Sequence, residues 1–339
     1  MPPPAELELI ARDPALAAMA TVLDQAALTA FVAERWAATG RGPPPEQVLV
    51  RYLRYKPGTA LVAGLELRGP AGTAMAAARA TVASAAPKLA KTLRAVERSG
   101  GWGMVDAGAG LAVHAAVADR HLPGLRRVLG GDAPAVHGLR YKPERRWVGR
   151  RGPSEAVETP TLVKVHRPAA ATGAILAHRR LAAAGLPVPR LRKSDARRGI
   201  VVADWVEGDP MDTHPPTSEQ LGQVGELLGG LHALPLPAGL PAPAPTAGLL
   251  AAAGAVASVR PATAGHAAAL ARSLLAQTAT SHRRTVVHGD FSADQVVLGP
   301  GGAVVLLDLD RLTLGDPIDD LAGWVAAEIT GGRCPARSR

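Results

Sequence analysis

Cysteine is almost missing from this chain: there is one in 339 residues, Cys334. A single thiol excludes an intramolecular disulfide framework and a zinc site built from several cysteines. Aromatic residues are scarce, at 3%, so a buried core has to rely on Ala, Leu and Val. No apolar run reaches the roughly 20 residues that a membrane span needs. The opening Met1-Pro2-Pro3-Pro4-Ala5-Glu6 lacks the basic start and apolar stretch of a secretory signal. These absences make a reducing cytoplasm the expected compartment and leave a membrane partner without support. Positive charge is also missing from one long interval. Between Val201 and Val259 there is no Lys or Arg, while Asp204, Glu207, Asp209, Asp212, Glu219 and Glu226 all fall there.

The formal net charge of +9 is therefore unevenly placed. Residues 1–200 carry 30 Lys and Arg against 15 Asp and Glu, and residues 201–339 carry 8 against 14. No helix-turn-helix, zinc or RNA-binding motif accompanies the basic half, so nucleic acid is not the expected partner. A basic half beside an acidic half suits a polyanionic nucleotide on one side and a polyol or cationic acceptor on the other.

The most informative stretch is residues 286–322. It reads Val-Val-His288-Gly289-Asp290-Phe291, then Ser-Ala-Asp-Gln295-Val-Val-Leu, a Gly-Pro-Gly-Gly turn, Ala-Val-Val-Leu-Leu-Asp308-Leu-Asp310-Arg311, and Gly315-Asp316-Pro317-Ile-Asp319-Asp320-Leu-Ala. Apolar runs broken by turn residues, with carboxylates at their ends, predict a hairpin that presents acids at one edge of a buried sheet. The order His288, Asp290, Gln295, Asp308 follows the kinase catalytic loop H-x-D-x-x-x-x-N and its later metal-binding Asp. Phosphoryl transfer needs an acceptor for the attacking hydroxyl's proton and hard oxygen ligands for Mg²⁺. Asp290 is the candidate for the first role, and Asp308 with the amide oxygen of Gln295 for the second. These motifs, with the Gly-Asp-Pro and Asp-Asp-Leu-Ala that follow, resemble the aminoglycoside phosphotransferase and choline kinase superfamily, small-molecule kinases of protein-kinase-like fold. Most relatives carry Asn where this chain has Gln295. Maltokinase-like sugar kinases also carry Gln there.

Ahead of that stretch, apolar spacing over residues 13–38 predicts one amphipathic helix. Leu53-Arg54-Tyr55-Lys56-Pro57 then recurs 86 residues later as Leu139-Arg140-Tyr141-Lys142-Pro143, which implies two related β-rich units. In the second unit Lys164 lies within an apolar strand, where an ammonium needs a partner such as nucleotide phosphates. The corresponding strand of the first unit, read as Gly72 to Ala76, holds no lysine. By the resemblance, Lys164 is the ATP lysine, and Asp204, Trp205 and Val206 form the hinge that meets the adenine. His288 and Asp320 brace the catalytic loop. The usual Glu of the following helix is missing, with Ile175 near its position, so either another acid, such as Glu155 or Glu158 of the preceding loop, holds Lys164 or the active conformation is impaired. Pro143-Glu144-Arg145-Arg146 stands where kinases have a glycine-rich loop. His232 reads as a structural cap or core histidine. Gly331 to Arg339 reads as a disordered tail.

The expected fold is α+β: a bilobal protein-kinase-like fold with an extra N-terminal α/β unit resembling a duplicated N-lobe. The expected parts are a helical segment at 1–48, an α/β cap at 49–133, a kinase-like N-lobe at 134–206, and a helical C-lobe with the catalytic loop at 207–339. The resemblance implies an ATP- and Mg²⁺-dependent phosphotransferase acting on a hydroxyl of a small molecule, foremost an aminoglycoside or amino sugar. A maltokinase-like neutral sugar kinase and a pseudokinase without phosphoryl transfer are the alternatives.

Overall fold

The computed structural model describes residues 2–130, 136–153, 159–236, 240, 245–278 and 284–332. It divides into two compact units, Met1–Ala169 with Asp195–Val202 and Ala170–Ser194 with Ala203–Arg339. Helix and sheet are mixed throughout, as an α+β chain requires.

Three short helices open the first unit: α1 (Pro4–Arg12), α2 (Met19–Leu23) and α3 (Gln25–Trp36). The single helix expected over residues 13–38 is thus broken. Asp24 leaves the helical conformation (φ −90°, ψ 109°) and its carboxylate accepts from the backbone N–H groups of Ala26 and Ala27. An Asp capping two orphan donors favours a new helix start over continuation.

The first sheet contains β1 (Gln47–Lys56), β2 (Ala60–Gly69), β3 (Gly72–Thr81), β4 (Gly103–Asp106) and β5 (Leu111–Ala115), in spatial order β1-β2-β3-β5-β4. Helix α4 (Ala86–Ser99) follows its third strand and α5 (Leu125–Leu129) its last. Leu16, Met19, Val22, Leu28 and Val32 pack on Leu61, Leu65, Ala76 and Val113 to make its core. The second sheet repeats the order: β6 (Val136–Lys142), β7 (Arg146–Arg151), β8 (Thr161–His166), β9 (Leu191–Asp195) and β10 (Ile200–Asp204) lie as β6-β7-β8-β10-β9. Both first strands carry a register shift, at Val50/Tyr52 and at Gly138/Arg140. A second core joins Ala77 and Ala116 to Leu122, Leu125, Tyr141, Trp147, Val163 and Ile200.

The repeat runs deeper than the five residues visible in sequence. Asp13 accepts from the Tyr55 hydroxyl and the Gly58 N–H at 2.8 and 2.7 Å, and Asp119 accepts from the Tyr141 hydroxyl and the Glu144 N–H at 2.9 and 2.7 Å. Pairing register also corrects the reading of the first unit. Arg54 faces Val62 and Val62 faces Arg79, just as Arg140 faces Val148 and Val148 faces Lys164. The counterpart of Lys164 is therefore Arg79, a cation further along the strand than the Gly72–Ala76 run.

In the second unit, α6 (Pro168–Ala183) and α7 (Ser218–His232) pack beside two small sheets. One is β11 (Asp209–Pro210), β13 (Val296–Leu298) and β14 (Val304–Leu306), and the other is β12 (Thr285–Val287) with β15 (Thr313–Gly315). The hairpin read from the sequence is β13–β14 alone, because β12 takes β15 as its partner. Leu181, Val224, Leu231, Val286, Phe291, Val296 and Leu306 form the core here. Helices α8 (Pro245–Val259) and α9 (Ala264–Thr278) lie against each other, and α10 (Pro317–Thr330) closes the described chain. Among the described residues no helix is long and apolar enough to cross a membrane.

Candidate active site

Asp320 is the anchor of the loop that follows β12. It sits in the first turn of α10, a helix begun by a capping box in which Asp316 accepts from Ile318 and Asp319 reaches back to the N–H of Asp316. The Asp320 carboxylate is 1% exposed and accepts three bonds: His288 N–H at 2.8 Å, Gly289 N–H at 2.9 Å, and His232 Nε2 at 3.0 Å. A carboxylate removed from water has to be compensated in this way. Gly289 takes φ +78°, and a Cβ there would lie 2.6 Å from the Arg311 carbonyl oxygen, so the backbone passes where only glycine fits.

His288 is fully buried and couples this loop to the next one. Its Nε2 donates to the Leu307 carbonyl at 2.8 Å, and its Nδ1 has no hydrogen-bond partner among the described residues. Its ring packs edge-on against Phe291, with centroids 5.9 Å apart. Leu307 immediately precedes Asp308, and Leu307 N–H donates to the Gln295 carbonyl at 2.8 Å. One imidazole thus ties the Asp290 loop to the strand end bearing Asp308.

Asp290 projects from the anchored loop with 52% of its side chain exposed, 3.5 Å from Arg311 Nη1. An exposed pair at that separation is weak, so the carboxylate remains accessible to an incoming hydroxyl. Asp308 adopts φ 51°, ψ 53°, a left-handed conformation that Asp tolerates better than most residues. Gln295 Nε2 donates to Asp294 Oδ2 at 2.8 Å, and Asp294 also accepts from Ser292 Oγ. This bond engages the amide nitrogen of Gln295 and leaves the amide oxygen out of the contact.

No group of three His, Cys, Asp or Glu suited to a metal ion occurs among the described residues. The Asp308 carboxylate and the Gln295 amide oxygen are hard oxygen donors, of the kind Mg²⁺ takes together with substrate phosphates.

Lys164 is buried on β8 in the first unit, opposite Val148. Ile175, on α6, is buried. Glu155 and Glu158 fall outside the described residues. Asp204 ends β10, its N–H donating to the Arg190 carbonyl and its carboxylate accepting from Arg192; Trp205 and Val206 follow, half-buried, outside any helix or strand. Sequence reasoning missed His232 as a member of the site. That histidine ends α7 and reaches Asp320 across 88 residues, a pairing that no local pattern signals. Arg311 and Asp294 were missed as well.

The chain belongs to the phosphotransferase enzyme family (APH), whose model matches residues 139–336, more than half of its length. It is accordingly a phosphotransferase with an alcohol group as acceptor, acting on a small molecule. Among solved structures it is similar to an aminoglycoside-3'-phosphotransferase of type VIII, at 24% identity over 61% of this chain and 83% of that one, with TM-score 0.47. It is also similar to choline kinase LicA from Streptococcus pneumoniae, at 16% identity over 56% and 67%, TM-score 0.41. A third is macrolide 2'-phosphotransferase MphH from Brachybacterium faecium, at 19% identity over 63% and 83%, TM-score 0.40. No curated protein matches the chain.

Proposed function

We propose that the protein transfers the γ-phosphoryl group of ATP to a hydroxyl of a small acceptor that carries amino groups. The observation that carries the reading is the linkage of the two acidic loops. Asp320 clamps the loop of Asp290, and His288 fastens that loop to the carbonyl beside Asp308. Asp290 takes the proton as the hydroxyl oxygen bonds to phosphorus and the bond to the ADP oxygen breaks. Asp308 and the Gln295 amide oxygen would hold Mg²⁺, which would screen the phosphate charge, and Lys164 would orient the phosphates. His288 and Asp320 position the loop without touching the reacting atoms.

The six carboxylates of residues 201–259, without a Lys or Arg among them, favour a cationic aminoglycoside or amino sugar. Gln295 favours the second reading, a neutral sugar kinase. Thermal shift with Mg-ATP, followed by ATP turnover over amino sugars and neutral sugars, tests both. Stabilisation by Mg-ATP and turnover with amino sugars are expected. Turnover confined to maltose or glucose selects the second reading, and no nucleotide response at all rejects phosphoryl transfer.

A further inference from the structure

Two non-glycine residues among those described have positive φ: Asp308, at the proposed metal site, and Glu144. Glu144 stands 86 residues after Gly58, in the turn that follows the repeated Leu-Arg-Tyr-Lys-Pro. The two turns are built alike. Gly58 has φ +60° and Glu144 φ +62°; the Thr59 N–H donates to Lys56 O at 3.1 Å and the Arg145 N–H to Lys142 O at 3.0 Å. Each turn's central N–H goes to a buried Asp, Asp13 or Asp119. The first copy meets the left-handed position with glycine, without strain. The second copy places a long side chain there, which strains the backbone and persists only where something else holds it.

What holds its side chain comes from the first copy. The Glu144 carboxylate accepts from Arg54 on one oxygen and Arg79 on the other, and all three side chains are mostly buried, at 17, 17 and 20% exposure. Arg167 donates to the Glu144 carbonyl. Arg79 is the register counterpart of Lys164, so the position that in the second sheet is proposed to face phosphate faces a carboxylate in the first. The sheets also touch here with no room to spare: a Cβ on Gly64 would lie 2.6 Å from Tyr141 O and 3.0 Å from Pro143 Cδ.

We infer that the N-terminal repeat is a clasp: its basic pair, Arg54 and Arg79, takes Glu144 as a built-in anion and fixes the β6–β7 turn from which Arg145 and Arg146 project. A nucleotide loop rich in glycine is mobile until it closes on phosphate. This turn has no glycine and is instead held by the preceding repeat. The consequence for nucleotide binding rests on the reading of Lys164 proposed above, whereas the clasp itself does not. Glu144 is a positioning residue, and its loss frees the turn.

Glu144→Gly is the discriminating variant, because the twin turn shows that glycine keeps this backbone. Hydrogen exchange at the amides of Arg145 and Arg146 is expected to quicken at least about tenfold, with Tm lowered by only a few degrees. The Kd for Mg-ATP is expected to rise about tenfold, and the charge swap Arg79→Glu with Glu144→Arg to restore most of that loss. Unchanged exchange in Glu144→Gly overturns the clasp. Faster exchange with an unchanged Kd overturns its bearing on nucleotide. A wild-type protein that fails to bind Mg-ATP rejects the proposed function instead, and the exchange measurement still decides the clasp.

Discussion

Asp290 and Asp308 are both acidic, but their settings differ in the way the two proposed roles require. Asp290 lies half in solvent on a loop tied down at its base, where a carboxylate can meet a hydroxyl. Asp308 is held in a left-handed turn directly after the carbonyl that His288 grips. Asp290→Asn is expected to lower kcat by roughly 10²-fold or more while leaving Mg-ATP affinity nearly intact, as loss of a general base does. Asp308→Ala is expected to abolish turnover because the phosphate charge is no longer screened. Steady-state kinetics with a nucleotide titration separates the two, and a shared loss of ATP binding would make Asp290 structural. Glu144 supplies a pH signature. Burial pushes its carboxyl up, but Arg79 and Arg54, with help from His121, outweigh that and leave it below the ordinary 4.5. A depressed folded-state pKa contributes stability above the unfolded value, and that contribution is lost as pH falls through the folded one. The Tm advantage of wild type over Glu144→Gln is therefore expected at about pH 7 and to vanish in acid below the ordinary carboxyl range. A difference constant with pH would remove the ion pairs as its source.

Helix α10 shows how an element makes a site. Its capping box sets the first turn, the first turn places Asp320, and Asp320 satisfies two consecutive backbone N–H groups of the catalytic loop. Asp320→Ala leaves those donors and His232 unpaired in a buried place, a loss of about 3 kcal/mol. Chemical denaturation is expected to show it, together with a fall in kcat larger than any change in ATP affinity. A variant of unchanged stability would mean that water replaces the carboxylate. This element was legible in the sequence, since Gly-Asp-Pro followed by Asp-Asp announces a capped helix start. The partner of Asp320 on α7 was not. Nothing local in Leu231-His232-Ala233-Leu234-Pro235 distinguishes a histidine that ends a helix from one that reaches an acid 88 residues away.

Over the whole molecule, charge is divided, with basic residues concentrated before residue 200 and the acidic interval after it. Partly exposed charges are screened within about 8 Å at physiological salt. The KM of an amino-bearing acceptor is therefore expected to rise between about 50 and 500 mM salt by more than the KM for ATP does. A salt-independent acceptor KM, with efficient use of maltose or glucose, would favour the neutral-sugar reading.

The sequence by itself determined the family, because phosphoryl transfer demands particular atoms in a fixed order and one continuous segment, residues 288–320, carries most of them. It also determined that the first half is a repeat, through five identical residues 86 apart. Pairing and burial were decided by the tertiary structure. The break at Asp24 follows from a cap that competes with helix continuation. The pairing of β12 with β15 follows from which strand edges lie open to one another. Arg79 took its place as the twin of Lys164 only through strand register, because β3 and β8 differ in sequence while the pairing Arg54–Val62–Arg79 matches Arg140–Val148–Lys164. The grip of Arg54 and Arg79 on Glu144 spans 90 and 65 residues. Such contacts depend on two sheets meeting in space, which no local pattern of residues encodes.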